Sequence, residues 1–233
     1  MIPATTLRVS VSRRDACEEV EFDADHLICF GWVGRNRDSL QAHIDELVQL
    51  GVPAPSRVPI FMNLSNYLLT SAGEISVSSD STSGEVEYVL FCRGSEMWVS
   101  VGSDQTDRAI ETRSLPASKQ MCAKCVARDA WPLEEVADHW DALMLRCWTT
   151  KGGRGRILYQ EAPLSSILNP HQLLDILHGE NRAPQNGMVI FSGTIPTLAG
   201  VIYGDAYDLE LEDPVMKRKI AHRYLVTVLP QFL

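Results

Sequence analysis

Short runs of alternating or β-branched residues recur along the whole chain, and this spacing limits the possible folds more than any other sequence feature. Such runs, bounded by turn residues, are typical of β-strands. The runs are LRVSV, HLICFGW, VPIFMN, EISVSS, EVEYVLFC, EMWVSVG, GRILYQ, GMVIFSG, AYDLELE and RYLVTVLP. They do not alternate regularly with helical segments, which argues against a doubly wound parallel sheet. The sequence therefore predicts an α+β fold that is mostly β.

Three segments have helical patterns instead. Residues 38–51, DSLQAHIDELVQLG, have apolar residues at helical spacing and a glycine at the end. Residues 131–148, WPLEEVADHWDALMLRCW, begin with a proline and two glutamates, which favour a helix N-terminus. Residues 169–179, NPHQLLDILHG, have an asparagine cap, a proline in the first turn and a final glycine. The sequence predicts a helix in each segment.

Length and composition limit the domain organisation and the classes of function. The chain has 233 residues, 45% of them hydrophobic, which suits one substantial domain. We expect residues 28–233 to form this domain and residues 1–27 to form a small N-terminal β addition. The formal net charge of -9 argues against a binder of nucleic acid or of anionic membrane surfaces. The first residues lack a long apolar segment, so we expect a cytoplasmic location.

The six cysteines predict reduced thiols rather than disulfides or a zinc site. A chain of this length does not need disulfides to hold its fold together. Cys122 and Cys125 form a CxxC pair, but the sequence has no second pair. Structural zinc sites generally use two such pairs, or a cysteine pair with a histidine pair. We expect thiols that are mostly buried.

Three acidic residues on two successive predicted strands form a candidate divalent-metal site. Glu85 and Glu87 in GEVEYVLF share one strand face because side chains alternate between faces. Asp104 ends the next strand, where a third carboxylate can reach the same point. Hard divalent cations prefer such oxygen ligands. An isolated ExE pair is more often a solvated strand face, so the metal hypothesis depends on the convergence of all three carboxylates.

The first helical segment contains a candidate proton-transfer pair. His43 and Glu46 are three residues apart, so their side chains occupy adjacent positions on a helix. A carboxylate partner fixes the tautomer of a histidine, which can then act as a general base on water. The alternative is a histidine at the border of the apolar stripe formed by Leu40, Ile44 and Leu47, which is the usual case for an isolated HxxE motif.

The order of these motifs resembles that of the fumarylacetoacetase (fumarylacetoacetate hydrolase) superfamily, and more closely a bacterial branch of unknown function within it. In chain order the motifs are GRN, HxxE, VPIFMNLS, ExE, DxTxR, the lysine of ASKQ, FSGTIPTLAGV and GDAYDLELED. The resemblance covers residues 28 to 230. It implies a fumarylacetoacetase-like β-roll of mixed sheets with a few helices, commonly dimeric, that holds Mg²⁺ or Mn²⁺, with Ca²⁺ as a further option.

The resemblance implies roles for the catalytic and metal-binding candidates. Glu85, Glu87 and Asp104 match the family's metal ligands. His43 and Glu46 match the pair that activates water, on a helix that belongs to a lid over the substrate.

The same resemblance implies contacts with the substrate. Lys119 matches a family lysine that faces the metal pocket, and we expect it to take part in catalysis. Thr106 and Arg108 are expected to anchor the turn or to bind a substrate carboxylate. Thr194 matches a loop near the substrate's carboxylate or oxyanion. Asn63 stands where the family commonly has a lysine, so we expect an altered substrate contact.

These matches predict a metal-dependent enzyme acting on a small 2-oxo acid. A cation held by three carboxylates keeps positions for a bidentate oxo acid, polarises its carbonyl and stabilises an enolate. With water activated by His43 and Glu46, the expected reaction is hydrolysis of a C–C bond in an acylpyruvate-like β-diketo acid. Without that water, the site suits an oxo-acid decarboxylase or a keto–enol isomerase.

A third alternative is a metabolite-binding protein without catalytic activity. Asn63 motivates it, as does Ala109, which stands where the family has an aspartate. The expected partners are a small oxo-acid ligand and a second copy of the chain in a homodimer.

Overall fold

The computed structural model describes residues 3–49, 55 and 57–231, apart from the side chains of residues 39, 42, 43, 46, 47 and 49. The fold is mostly β, as predicted. The strands are β1 (Thr5–Ser12), β2 (Cys17–Ala24), β3 (His26–Gly31), β4 (Ile60–Leu64), β5 (Leu69–Thr70), β6 (Glu74–Val77), β7 (Thr82–Ser83), β8 (Val86–Arg93), β9 (Glu96–Asp104), β10 (Thr106–Asp107), β11 (Lys124–Val126), β12 (Asp129–Pro132), β13 (Met144–Thr150), β14 (Ile157–Pro163), β15 (Met188–Phe191), β16 (Ala206–Asp213) and β17 (Arg218–Val228). The α-helices are α1 (Arg37–Gln49), α2 (Arg108–Glu111), α3 (Leu115–Gln120) and α4 (Pro170–Gly179).

Two mixed sheets form the body of the described residues. The larger sheet has the order β2-β1-β12-β9-β8-β15-β3-β4, and β11 pairs with both β9 and β5. The smaller sheet has the order β14-β13-β16-β17-β6. A short ladder joins β7 to β10 beside the larger sheet. The hairpin β8–β9 lies in the middle of the larger sheet and places Glu87 opposite Gly102.

Two hydrophobic clusters cover opposite faces of strand β8. Val86, Tyr88 and Leu90 belong to a cluster that also includes buried residues of the smaller sheet and of α4. Val89 and Phe91 belong to a second cluster, formed almost entirely by strands of the larger sheet, which curls around it. The predicted alternation along β8 is therefore confirmed. Because successive strand residues face opposite sides, Glu87 points to the side of the second cluster.

The N-terminal hairpin forms one edge of the larger sheet. Strand β1 is antiparallel to β2 and parallel to β12, and Leu7 and Val9 enter the second cluster. The division between a β addition at residues 1–27 and a main domain at residues 28–233 stays a prediction. The outermost strand, β2, exposes four acidic side chains, which are Glu18, Glu19, Glu21 and Asp23.

All ten predicted strands overlap strands of the structure, and two of the three predicted helices are confirmed. The first corresponds to α1, although residues 50 and 51 of the prediction lie outside the described residues. The third is α4, in which the side chains and backbones of Asn169 and Gln172 form a capping box. None of the described helices has the length and apolar character needed to cross a membrane.

The predicted helix at residues 131–148 is wrong. This segment ends strand β12, passes through 3₁₀ turns at 133–135 and 137–142, and continues as β13. His139 has non-helical dihedral angles, and no side-chain cap is present at the start of either turn. The second half of the segment is a strand because β13 pairs with β14 on one side and with β16 on the other. Buried Leu145 and Cys147 accordingly alternate with half-buried neighbours.

The prediction of free thiols that are mostly buried is confirmed for the described residues. All six cysteines are free, and only Cys17 is exposed. Burial raises the pKa of the Cys122 thiol to about 11, which disfavours the reactive thiolate.

Gly102, on β9, allows atoms of three other strands to approach closely beside the acidic residues. A Cβ atom at this position would lie 2.6 Å from the carbonyl oxygen of Cys125, 2.7 Å from Val89 and 2.8 Å from Phe191. The first of these neighbours is backbone and cannot rotate away. The absence of a side chain at position 102 therefore permits the close packing of β11 and β15 against the β8–β9 hairpin.

We predict that Gly102→Ala lowers the free energy of unfolding by about 1–3 kcal/mol, because overpacking in a close-packed interior forces backbone shifts. Urea denaturation followed by circular dichroism measures the change. Gly155→Ala is the matched control, since a Cβ atom there meets nothing within 4 Å. Equal stabilities of the two variants would contradict the packing argument.

Candidate metal centre

Three carboxylates gather where the β8–β9 hairpin ends its ladder. One oxygen each from Glu85, Glu87 and Asp104 lies within 4.8 Å of the other two. The backbone N–H of Asp104 donates to the carbonyl of Glu85 at 3.0 Å, so these two residues are cross-strand neighbours. Glu87 is 1% exposed and Asp104 is fully buried. The convergence expected from the sequence is present, although metal binding itself is a proposal.

Lys119 bridges two of these carboxylates. It lies in α3, and its Nζ contacts Glu85 Oε2 closely and lies 3.0 Å from Asp104 Oδ2. It also donates to Thr106 Oγ1 at 3.0 Å. Burial opposes its charge, but the carboxylates of Asp104 and Glu85 outweigh burial and raise the pKa of Lys119. The side chain is therefore an ammonium ion held among the acidic groups.

Arg108 fixes Glu85 from the other side. Its guanidinium donates to Glu85 Oε1 at 2.9 Å, to Ser83 Oγ at 2.7 Å and to Glu111 Oε2 at 2.9 Å. Burial of Glu85 disfavours its charge, yet Lys119 and Arg108 lower its pKa to about 2. Of the two roles expected for Arg108, these contacts match anchoring of the turn. Binding of a substrate carboxylate stays a prediction.

A second buried lysine at the centre was not identified from the sequence. The Nζ atom of Lys124, on β11, is completely buried and lies 2.9 Å from Asp104 Oδ1. It donates to the main-chain carbonyls of Gln105 at 2.9 Å, Lys119 at 2.5 Å and Cys122 at 2.9 Å. The available signal was a single lysine in the otherwise apolar run CAKCVA. Its role follows from the pairing of β11 with β9, which places Lys124 opposite Asp104.

Among the described residues, Glu87 has no cationic partner comparable to those of Glu85. Its Oε2 accepts a 2.8 Å hydrogen bond from the backbone N–H of Gly193. Burial, followed by the charge of Asp104, raises the pKa of the Glu87 carboxyl well above its ordinary value. Adjacent carboxylates that differ this much mark a site whose charge is incompletely compensated.

The donor set fits a hard divalent cation. Both carboxylate oxygens of Asp104 are buried and accept no hydrogen bond of suitable geometry from the residues that the structure describes, although the two lysine nitrogens lie nearby. Their lone pairs are therefore available to a cation. Carboxylate oxygens such as these are the ligands that Mg²⁺ or Mn²⁺ takes in proteins. A cation would also offset the negative charge that disfavours ionisation of Glu87.

The two predicted threonines make internal hydrogen bonds. The Thr106 hydroxyl donates to the carbonyl of Asp104 at 3.1 Å and accepts from Lys119. The Thr194 hydroxyl donates to the carbonyl of Val86 at 2.8 Å and accepts from Gln160 at 2.8 Å. Both hydroxyls thus position parts of the centre in this structure, and their contact with a substrate stays a prediction.

The structure does not bring Asn63 to the acidic cluster. It is exposed on β4, where its Oδ1 accepts a 2.7 Å hydrogen bond from Arg182. Along the sheet register it is level with Leu90, which is three residues from Glu87 or about 10 Å along the strand. Strand β4 is also three positions from β8 in the sheet order. Its role as a substrate contact stays a prediction.

The His43–Glu46 pair lies in α1, which confirms the helical spacing of its backbone. The side chains of both residues lie outside the described residues. Their role as a water-activating pair stays a prediction.

A buried polar network connects the centre to the smaller sheet. The Tyr224 hydroxyl, from β17, lies 2.8 Å from Ser103 Oγ and donates to Gln105 Oε1 at 2.9 Å. Ser103 Oγ in turn accepts from the backbone N–H of Glu85 at 3.1 Å. The residues on either side of Asp104 are therefore held by a residue from the opposite sheet, a link that no local motif in the sequence indicates.

Comparison with solved structures shows that the chain has the fold of fumarylacetoacetate hydrolase family proteins. A proposed fumarylpyruvate hydrolase from Burkholderia cenocepacia is 17% identical, with a TM-score of 0.61 and coverage of 97% of each chain. The yeast protein ynq8, a fumarylacetoacetate hydrolase family protein, is 17% identical, with a TM-score of 0.61 and coverage of 89% of this chain and 95% of that chain. A 2-keto-3-deoxy-D-arabinonate dehydratase complexed with magnesium and 2,5-dioxopentanoate is 17% identical, with a TM-score of 0.62 and coverage of 94% and 79%.

A family model with the description "Protein of unknown function (DUF2848)" matches residues 30–224, and the chain belongs to this family. A search of curated proteins found no match. The structural comparisons confirm the predicted resemblance at the level of the fold.

We predict opposite effects on stability for the two neighbouring glutamates of the metal-free protein. Because the pKa of Glu87 is raised in the folded state, its ionisation lowers stability as the pH rises above the ordinary value of 4.5. Glu87→Gln should therefore raise the free energy of unfolding at neutral pH by about 0.5–2 kcal/mol. The gain should shrink as the pH falls through 4.5 and vanish below it, where the carboxyl is protonated in both states.

Glu85→Gln is the contrasting variant and should lower the free energy of unfolding by about 3 kcal/mol, because it removes a carboxylate partner shared by the buried cations Arg108 and Lys119. The pKa of Glu85 is lowered to about 2, so the stability it contributes is present above 4.5 and is lost as the pH falls towards 2. Urea denaturation in the presence of a chelator, across this pH range, measures both variants. A loss of stability at neutral pH in Glu87→Gln would contradict the assignment of Glu87 as the undercompensated carboxyl.

Proposed function

We propose that this protein is a divalent-metal-dependent enzyme that hydrolyses a C–C bond in a small 2-oxo acid of the acylpyruvate type. The observation that carries the proposal is the convergence of Glu85, Glu87 and Asp104 within 4.8 Å. The two buried Asp104 oxygens, which have no hydrogen-bond partner of suitable geometry among the described residues, support a cation at this point. The proposed cofactor is Mg²⁺ or Mn²⁺, with Ca²⁺ as a further option.

Two structural neighbours support the class of substrate. One is complexed with magnesium and 2,5-dioxopentanoate, which contains a 2-oxo acid group. Another is described as a proposed fumarylpyruvate hydrolase. An oxo-acid substrate is the common element of these descriptions, and the proposal assigns the same chemical class to this chain.

Each residue of the centre would have a distinct role in the reaction. When bound, the ion supplies Lewis acidity to the substrate carbonyl. Glu85, Glu87 and Asp104 hold the ion at the end of two rigid strands. Lys119 remains an ammonium and offers a fixed positive charge beside the reacting acid, where developing negative charge needs stabilisation. In this proposal it acts electrostatically and does not begin the reaction as a base.

His43 and Glu46 are the pair proposed to activate the attacking water molecule. The histidine removes a proton from water, and the glutamate holds the imidazole in one tautomer. If this pair is not productively placed, the centre suits decarboxylation or keto–enol isomerisation of an oxo acid instead. If no reaction occurs, the protein is a metabolite-binding member of the fold. A homodimer and a cytoplasmic location also stay predictions.

The metal site is tested by Asp104→Asn, which we expect to weaken Mn²⁺ binding by about 100-fold or more, because an amide replaces an anionic ligand. Isothermal titration calorimetry measures the affinity. Asp175→Asn, on the exposed face of α4, is the matched control and should bind Mn²⁺ like the wild-type protein. Unchanged affinity in Asp104→Asn would remove the metal site from the proposal.

The reaction is tested by incubating the Mg²⁺-loaded and Mn²⁺-loaded protein with acylpyruvates, oxaloacetate and an enolised oxo acid. Pyruvate release from an acylpyruvate is the expected result. Release of CO₂ from oxaloacetate alone, or keto–enol conversion alone, would identify the decarboxylase or the isomerase. Metal binding without turnover of any of them would favour a metabolite-binding protein.

His43→Ala separates the water-activating step from metal binding. We expect hydrolysis to fall by about 100- to 10,000-fold, the range that a general base contributes. Calorimetry should give an unchanged affinity for Mn²⁺. Wild-type rates of hydrolysis in this variant would exclude His43 as the base.

A further inference from the structure

Lys124 is a charged residue in a position that ordinarily holds an apolar side chain. Its side chain is completely buried, and the next inward-facing residue of β11, Val126, belongs to the second hydrophobic cluster. A buried ammonium carries a large desolvation cost unless its surroundings compensate it. The presence of this lysine beside Asp104 therefore indicates a role that an apolar residue cannot fill.

The hydrogen bonds of Lys124 go to main-chain carbonyls and not to Asp104. An ammonium has three protons, and three main-chain carbonyls accept from Lys124, those of Gln105, Lys119 and Cys122. Asp104 Oδ1 lies 2.9 Å from the nitrogen but accepts no hydrogen bond of suitable geometry. Lys124 thus offsets the charge of Asp104 by proximity and does not occupy the oxygen that a metal ion would use.

The charged side chains that contact one another at the centre nearly cancel in net charge. The carboxylates are those of Glu85, Glu87, Asp104 and Glu111, and the cations are Arg108, Lys119 and Lys124. With all groups ionised, as metal ligation requires of the carboxylates, this set carries one net negative charge. A bound divalent ion changes it to one net positive charge. Without Lys124, the same loaded set would be neutral.

We propose that Lys124 is a positioning residue that acts through Asp104 to leave the metal-loaded centre with a net positive charge, so that it attracts a small carboxylic acid. The inference rests on the metal site of the proposed function and adds a determinant of substrate charge. Lys124 reduces the attraction of the site for the metal ion and increases the attraction of the loaded site for an anion. Removing the charge of Lys124 would therefore raise the affinity for the metal ion and lower the affinity of the loaded site for an anion.

A structural role alone gives a different pattern. If Lys124 only ties the turn after α3 to the end of β9, its loss loosens both Asp104 and Lys119. Metal binding and anion binding would then both weaken. The direction of the change in metal affinity therefore distinguishes the two roles.

The test uses the whole chain and two probes, Mn²⁺ alone and then oxalate added to the Mn²⁺-saturated protein, both measured by calorimetry. Lys124→Gln removes the charge and keeps an amide donor for the carbonyls, and Lys124→Met is a second neutral variant. Lys219→Gln is the matched control, since Lys219 is an exposed lysine whose Nζ lies 3.0 Å from Glu210. Circular dichroism shows which variants fold.

We expect the neutral variants to bind Mn²⁺ on the order of tenfold more tightly and oxalate on the order of tenfold more weakly than wild type. The control should change neither affinity. Weakening of both affinities, no change in either, or failure of both variants to fold would overturn the inference. Failure of the wild-type protein to bind Mn²⁺ would instead remove the proposed function on which the inference rests.

Discussion

The unequal compensation of three closely spaced carboxylates is the interaction on which the candidate centre depends. Glu85 is paired with two cations and is strongly ionised, whereas burial and the neighbouring Asp104 disfavour the charge on Glu87. Asp104 lies between two ammonium groups, yet its carboxylate oxygens accept no hydrogen bond of suitable geometry within the described part of the chain. The protein thus assembles negative charge in its interior and offsets most of it internally. A bound divalent ion would offset the negative charge that remains.

Rigid elements hold this arrangement. The carboxylates lie at the ends of adjacent central strands, and cross-strand pairing fixes their separation. Short helices α2 and α3 begin with the capped turns that follow Asp107 and Ser114, and they deliver Arg108 and Lys119 to the same point. Tyr224 joins the centre to the second sheet. Sites on strands with supporting hydrogen bonds keep their geometry better than sites on loops.

Sequence reasoning succeeded where a local pattern determined the outcome. Alternation along β8 predicted that Glu85 and Glu87 share a face, and the strand end predicted the position of Asp104. The failures have non-local causes. Residues 131–148 have helix-like composition, but pairing with β14 and β16 makes their second half a strand. Lys124 is a single lysine whose importance arises from its register with Asp104, and that register depends on the pairing of β11 with β9, two strands that are not consecutive in the chain.

The acidic side chains of strand β2 have a consequence for how copies of this molecule can meet. An unpaired edge strand presents free N–H and C=O groups, and these invite a neighbouring chain to extend the sheet. Strand β2 is such an edge and exposes Glu18, Glu19, Glu21 and Asp23. Two such edges brought side by side would align like charges at close range and repel. Continuation of the sheet by pairing two β2 edges is therefore disfavoured.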